Sequence, residues 1–233
     1  MKIEIWSDIA CPFCYIGKRH FEEGLAGFEH RDEVVVEYRS FQLDPFAPKE
    51  PEHDLYDALA RKFGMDRGQV VEMNRRVEEM GREAGIAFRF NAVVPSNTFD
   101  AHRLIKFAGR HGRERETVEL LFGAYFTEGR NVADHETLLS VAGKAGLDRA
   151  AAAEMLRSDA HAGEVEADGL EASRLGIRGV PFFVIDRKYG ISGAQPARVF
   201  LDALRRAWRD GQPAASDGGP DGGCGDGPCA PAP

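Results

Sequence analysis

Two cysteines, Cys11 and Cys14, stand where a strand pattern gives way to a helical one, and this junction constrains the fold more than any other feature of the chain. Lys2-Ile3-Glu4-Ile5-Trp6 alternates polar and apolar residues with the period of a half-buried strand. Beyond the cysteines, Ile16, Phe21, Leu25 and Phe28 recur at helical spacings among Lys18, Arg19, Glu22 and Glu23. The spacing predicts Cys11 near the N-cap and Pro12 near N1, where a missing N–H costs nothing. A Cys11 thiolate placed there can accept the free N–H groups of the first turn. It also faces the positive end of the helix dipole, which favours the anion over the thiol. Cys14, one turn along, is close enough to resolve a mixed disulfide.

Zinc knuckles also use Cys-x-x-Cys, with a tight glycine turn after the second cysteine and a second ligand pair nearby. Here Tyr15-Ile16 continue into the helix and the next cysteine is Cys224. His20, His30, His53, His111, His135 and His161 show no metal-ligand spacing with the cysteines, so no metal site is expected. A Cys-x-x-Cys pair beside a βαβ pattern reads instead as a redox centre.

With 233 residues, 43% of them hydrophobic, the chain can bury a substantial core. A net charge of −8 argues against nucleic acid or an anionic membrane as the main partner. Lys2 and Glu4 interrupt the N-terminus, so no signal peptide is read there, and no run approaches the roughly 18 apolar residues of a membrane span. A cytoplasmic protein is expected, in which disulfides are transient and catalytic rather than structural.

Residues 1–45 read as strand, helix, strand, the second strand being the β-branched and aromatic run from Val34 to Phe41. A crossover helix between two strands implies a parallel, right-handed βαβ unit. From about 50 to 175 helical periodicity takes over, with helices expected over 53–63, 67–84, 97–111, 113–127, 135–145, 149–158 and 161–175. Gly85, Gly112, Gly129 and Gly146 punctuate their ends, Asp134 is a cap candidate, and Ser96 or Asn97 another. An apolar strand is expected over 179–185 and a short one over 189–192, before a last helix from near Pro196 to Trp208. The expected fold class is α/β, with a strand-and-helix domain made of 1–48 and 176–210 and an all-helical insert over 49–175. Residues 211–233 turn to Gly, Pro, Ala and Asp, a composition expected to stay disordered.

The βαβ plus ββα skeleton, with Cys-Pro-x-Cys after its first strand, resembles the thioredoxin fold, and a helical insert between the halves resembles its DsbA branch. Trp6-Ser7-Asp8-Ile9-Ala10-Cys11-Pro12-Phe13-Cys14-Tyr15 and Asn97-Thr98-Phe99-Asp100-Ala101-His102-Arg103-Leu104 are similar to motifs of the cytoplasmic FrnE-like members. Those members are related to 2-hydroxychromene-2-carboxylate isomerases. The resemblance implies a thiol–disulfide oxidoreductase or isomerase in which Cys11 attacks and Cys14 resolves. It also implies that Val180-Pro181 is a cis peptide beside the cysteines, with the Val180 main chain pairing with an extended substrate. From the residues alone the trans form is favoured, since X–Pro bonds are cis in only about 5–6% of folded cases. The implied partners are proteins carrying disulfides or thiols, with glutathione or a thioredoxin-type reductant as co-substrate and no cofactor beyond the dithiol. Cys224 and Cys229 look like a second redox pair of some FrnE-like members. They read either as partners in an exchange relay with Cys11–Cys14, over a tether spanning roughly 20 Å, or as adventitious tail thiols.

Pro12 and Phe13 are candidate substrate contacts. Extracytoplasmic DsbA oxidants carry a histidine between the cysteines, whereas a phenyl ring neither donates a hydrogen bond nor carries charge. The expected redox potential therefore lies between about −270 and −120 mV. Phe13 and Tyr15 either offer apolar contact to a partner or pack inward. Asp8 reads first as a turn former and second as a proton acceptor. His102, at helical spacing from Phe99 and Ile105, reads first as a partly buried core histidine. Two other classes compete with the redox reading. One is a glutathione-linked isomerase of the 2-hydroxychromene-2-carboxylate type, which typically presents serine where Cys11 stands. The other is a non-enzymatic thiolate metal binder or redox sensor.

Overall fold

The computed structural model describes residues 1–211; Cys224, Cys229 and the tail reading lie outside the described residues. Strand β1, Lys2–Ser7, runs into helix α1, Pro12–Ala26, which crosses over to β2, Val35–Ser40. β1 and β2 pair in parallel, so that Lys2 lies beside Val35 and Ser7 beside Ser40. After the helices, β3 (Phe182–Ile185) pairs antiparallel with β1, and β4 (Tyr189–Ser192) pairs antiparallel with β3. The sheet order is β2-β1-β3-β4, and α2 (Ala197–Gly211) returns to pack on α1. The approach of these two helices is close because residue 24 has no side chain: a Cβ on Gly24 would lie 2.6 Å from the Ala197 carbonyl oxygen.

Between β2 and β3 come seven helices. They span Leu55–Phe63 (α3), Arg67–Glu83 (α4), Phe99–Arg110 (α5), Glu114–Phe122 (α6), His135–Lys144 (α7), Arg149–Arg157 (α8) and Ala162–Arg174 (α9). Asp134 caps α7 as expected, accepting the Thr137 amide at 3.0 Å, and Gly146 beyond its end takes φ +75°, which glycine adopts without a Cβ clash. The helix expected over 113–127 changes character part-way, passing from α6 into a π-helical turn over Gly123–Thr127. The strand expected over 179–185 begins only at Phe182. Gly179–Pro181 instead form a bend with a cis Val180–Pro181 bond, and proline has no N–H for the ladder. Among the described residues, no helix is long and apolar enough to cross a membrane.

β1 is buried on both faces, which corrects the half-buried reading. Ile3 and Ile5 join the main core beside α1, while Trp6 packs behind the sheet with Ala172, Ile177 and Val184. Glu4, only 1% exposed, is a charge in a central strand, and Arg39 at 2.6 Å and Arg187 surround its carboxylate. The main core continues from Ile5 through Tyr15 to Phe122 and Leu138. Tyr15 stacks on Phe122 with centroids 4.8 Å apart, and Glu119 on α6 takes bonds from its hydroxyl at 2.7 Å and from Lys18 at 2.6 Å.

The free edge of β2 is covered by side chains from three helices. Glu114 accepts the Tyr38 amide at 3.2 Å, Lys106 donates to the Tyr38 carbonyl at 2.8 Å, and Asp168 accepts the Ser40 amide at 2.8 Å. Burial pushes the Glu114 carboxyl up to about 7 despite the Tyr38 amide and Lys106. A carboxyl whose folded-state value lies above its unfolded value holds its proton more tightly when folded. Its contribution is therefore full below pH 4.5 and is lost as pH rises through 7. The loss amounts to at most about 3 kcal/mol. Glu114→Gln keeps the acceptor and removes the titration. Urea unfolding at pH 5 and pH 8 is expected to show a flatter pH dependence for the variant, and identical slopes would refute the assignment.

Candidate functional site

β1 ends at Ser7, and the following loop is organised by Asp8. Its carbonyl oxygen accepts the Cys11 amide at 3.1 Å, and its carboxylate accepts the Leu43 amide at 2.8 Å and the Ala10 amide at 3.4 Å. This ties the loop after β2 to the turn before α1. Cys11 is the N-cap residue, with φ −99° and ψ 111°, and Pro12 follows inside the helix. The Cys11 side chain does not cap the helix. Its thiol donates to the Val180 carbonyl oxygen at 3.6 Å, a distance normal for sulfur. The expectation that it takes the N–H groups of the first turn applies to a thiolate, which accepts where a thiol donates.

Val180 belongs to the cis Val180–Pro181 bond. Pro181 reaches the helix because residue 17 is glycine: a Cβ there would stand 3.0 Å from the Pro181 Cγ. The loop is held on its other side by the Gly193 amide, which donates to the Pro181 carbonyl at 2.9 Å. Cys11 and Cys14 are both free thiols, 4% and 3% exposed. Burial pushes the Cys14 thiol well up, and the neighbouring Cys11 sulfur adds to this. The Asp8 amide and the Ser7 hydroxyl work against the shift. The two sulfurs thus differ in surroundings, Cys11 meeting a main-chain carbonyl and Cys14 a buried polar pocket.

Behind the dithiol lies His102 from α5, 2% exposed, its Nε2 3.3 Å from Asp8 Oδ1. Burial opposes the Asp8 charge, yet hydrogen bonds from His102, the Leu43 amide and Thr98 together hold the carboxyl below its usual range. Asp8 is therefore the carboxylate, and His102 donates to it through Nε2–H. Tyr125 also faces this charge, and burial with Asp8 pushes its phenol up.

The model of the DSBA-like thioredoxin domain family matches residues 2–205. The chain belongs to this family. The probable DsbA oxidoreductase of Streptomyces coelicolor is 42% identical, covers 97% of this chain and 100% of its own, and superposes with a TM-score of 0.87. The Bacillus subtilis (strain 168) protein YwbO is 28% identical over 205 residues, 87% of this chain and 94% of its own length. A 2-hydroxychromene-2-carboxylate isomerase is 18% identical over 90% of this chain and 97% of its own, with a TM-score of 0.67, a likeness of fold.

In this DSBA-like chain the structure brings Cys11, Cys14, Val180 and Pro181 to one point, although 169 residues separate Cys11 from Val180. Phe13 points outward, 40% exposed, while Tyr15 packs inward at 5%. Leu43, next to the dithiol loop through its bond to Asp8, is also exposed. Asp8 forms the turn expected of it and is also the partner of His102, whose helical spacing by itself points only to a core histidine. A buried acid and a histidine in two separate motifs were the available signal; their pairing was not visible without the fold. Asn97 lies just before α5, where its Oδ1 accepts the Phe99 amide at 2.9 Å. Its Nδ2 donates to the Ala47 and Pro45 carbonyls, so it also pins the loop after β2. A cleft of about 900 Å³ along the β2 edge between Glu37, Lys106, Arg110 and Glu164 contains none of the candidate residues.

Proposed function

We propose that this protein is a thiol–disulfide oxidoreductase, with isomerase activity following from the same chemistry, and that it acts on protein disulfides through Cys11 and Cys14. The observation that carries the reading is the meeting of the helix-start Cys11 thiol with the Val180 carbonyl beside Pro181. In the forward direction a Cys11 thiolate attacks a substrate disulfide. One substrate sulfur leaves as thiolate, and Cys11 is joined to the other. The Cys14 thiolate then attacks the Cys11 sulfur. The second substrate thiol is released, and the Cys11–Cys14 disulfide holds the two electrons' worth of oxidation. Glutathione or a thioredoxin-type dithiol resets the pair, and no further cofactor is needed. The main chain at Val180 is a place for an extended peptide to pair without sequence demands. Exposed Phe13 and Leu43 supply apolar contact at its rim, and Pro12 shapes the turn between the cysteines. A cytoplasmic setting fits a pair of thiols kept reduced between turnovers.

The reading is tested by a glutathione redox titration with alkylation of free thiols and mass spectrometry at each cysteine. The expected result is a reversible two-electron transition at Cys11–Cys14, with a midpoint between about −270 and −120 mV, together with catalysed reduction of insulin disulfides by metal-free protein. A titration showing no transition at this pair would overturn the reading.

A further inference from the structure

The loop after β2 has no helix or strand of its own, yet it is braced along its length. Asp44-Pro45-Phe46-Ala47 closes a turn in which the Ala47 amide donates to the Asp44 carbonyl and the Phe46 amide to the Asp44 carboxylate, both at 3.2 Å. Aspartate first and proline second are the residues that favour such a turn. Asn97 fastens it from outside. Its Nδ2 donates to the carbonyls on either side of Phe46, Pro45 at 3.1 Å and Ala47 at 2.9 Å, and its own amide donates to the Pro48 carbonyl at 3.1 Å. Beyond the turn, Asn131 holds the Lys49 carbonyl at 2.9 Å and Asp100 takes the Lys49 ammonium at 2.8 Å. On this fixed frame Phe46 is 94% exposed, the most exposed large apolar side chain among the described residues. Leu43, three residues earlier, is exposed too, and the Asp8 that binds its amide also accepts the Cys11 amide. Three residues span at most about 10 Å, so Phe46 stands within a few residues of the dithiol rim. Glu50 and Glu52 are exposed and form no ion pair among the described residues, whereas Asp44 has Lys62 at 3.8 Å and Asp54 has Arg67. The uncompensated charge of the loop is therefore negative.

We propose that residues 42–52 form a preformed docking lip for the protein substrate, in which Phe46 takes an apolar side chain of an extended segment, Glu50 and Glu52 favour a basic neighbour, and Asn97 keeps the lip in place. The proposal rests on the oxidoreductase reading above and names what the protein selects in a substrate besides its disulfide. The Val180 main chain offers hydrogen bonds that any sequence can take, whereas a phenyl ring rewards only an apolar side chain. Glutathione disulfide has no such side chain, so the lip separates protein disulfides from it. A flexible loop would fold its phenylalanine onto the core or pay to order it on binding. A turn already closed by Asp44 and clamped by Asn97 presents the ring with that ordering done beforehand. Phe46 is thus a specificity residue, and Asn97, which touches no substrate, is a positioning residue.

The experiment mixes reduced full-length protein with symmetric disulfides of one-cysteine decapeptides, and with glutathione disulfide as reference. In each reaction Cys11 and Cys14 are oxidised to their disulfide and the added disulfide is reduced to two thiols. A leucine–lysine pair is moved stepwise away from the peptide cysteine on either side, and is replaced by serine–lysine or leucine–glutamate. At the best position the wild type is expected to favour leucine over serine by about tenfold in second-order rate constant. Lysine should beat glutamate several-fold at low salt, a preference that fades as salt is added. Phe46→Ser should bring the leucine-to-serine ratio to about one, and its stability should match the wild type because the ring is exposed. Asn97→Asp keeps the oxygen that accepts the Phe99 amide, so α5 stays capped, but it cannot donate to the Pro45 and Ala47 carbonyls. It should raise the half-saturating concentration of the leucine peptide several-fold, and more than it lowers the limiting rate. A wild-type ratio near one at every position, or a ratio that survives Phe46→Ser, would overturn the lip and leave the oxidoreductase reading standing. So would a wild-type dimer that Phe46→Ser turns into a monomer, since a second copy of the chain would then cover the ring. Equal rates with lysine and glutamate would overturn the charge preference, and an unaltered leucine peptide profile in Asn97→Asp would overturn the role of Asn97. Failure of the wild type to be oxidised at Cys11–Cys14 by any of these disulfides would overturn both readings.

Discussion

Replacing Cys14 with alanine is expected to leave Cys11 covalently joined to the first disulfide it meets. Cys11 attack breaks the substrate S–S bond and releases one thiolate, but among the described residues no second thiol is then left to displace the other half. Mixed with glutathione disulfide, the variant should gain one glutathione per chain on Cys11, seen by intact mass and removed by dithiothreitol. Insulin reduction should fall by at least about a hundredfold. Peptide mass mapping should place the adduct on Cys11, and the Cys11→Ser variant should gain none in the peptide spanning residues 11–14, which separates attack at Cys11 from oxidation of Cys224 or Cys229. The Cys14 side chain is small and buried, so the alanine variant is expected to keep the wild-type fold. Wild-type turnover by the Cys14→Ala protein would sink the division of roles between the two cysteines.

The second large effect concerns Asp168, which lies on the far side of the sheet from α1. It is 4% exposed, and its carboxylate meets Lys106 at 2.5 Å, Arg39 at 3.0 Å and the Ser40 amide at 2.8 Å. Its main-chain carbonyl accepts the Trp6 indole N–H at 3.1 Å, a bond that any residue at this position keeps. Asp168→Ala leaves the 8%-exposed Lys106 without its carboxylate and the Ser40 amide without its acceptor. Breaking a buried pair from one side costs about 3–5 kcal/mol, because the remaining charge stays buried. Urea unfolding is expected to show a loss of that size, with Asp168→Asn losing less since it retains an acceptor for Ser40. A loss below about 1 kcal/mol in Asp168→Ala would mean that Lys106 and Arg39 find other partners or reach solvent.

Much of the architecture was legible because its signals are local. Pro12 at the helix start, the alternation of β1 and the glycines after helix ends each act within one turn of the chain. The strand boundary at Phe182 was misplaced because the apolar run from Val180 reads as strand, whereas the proline's missing N–H and the bend decide it. Glu4 read as the solvent side of a half-buried strand. Two arginines, Arg39 from β2 and Arg187 from the β3–β4 turn, make its burial tolerable, and neither is near it in sequence. The helix over 113–127 was expected to be uniform, and nothing in its apolar spacing marks the π-helical turn.

What the sequence by itself determined is the dithiol and its setting: two cysteines one turn apart, held at the start of a helix by the strand before it and the proline between them. The tertiary structure decided what surrounds each sulfur. Val180 arrives at Cys11 across 169 residues, and His102 arrives at Asp8 across 94. Hydrogen bonds and charges act over a few ångströms of space regardless of chain separation, so they exist only once the sheet and the helices have packed. The same residues in the same order carry the thiol chemistry as a potential. Packing decides which thiol meets the Val180 carbonyl and which is buried behind it.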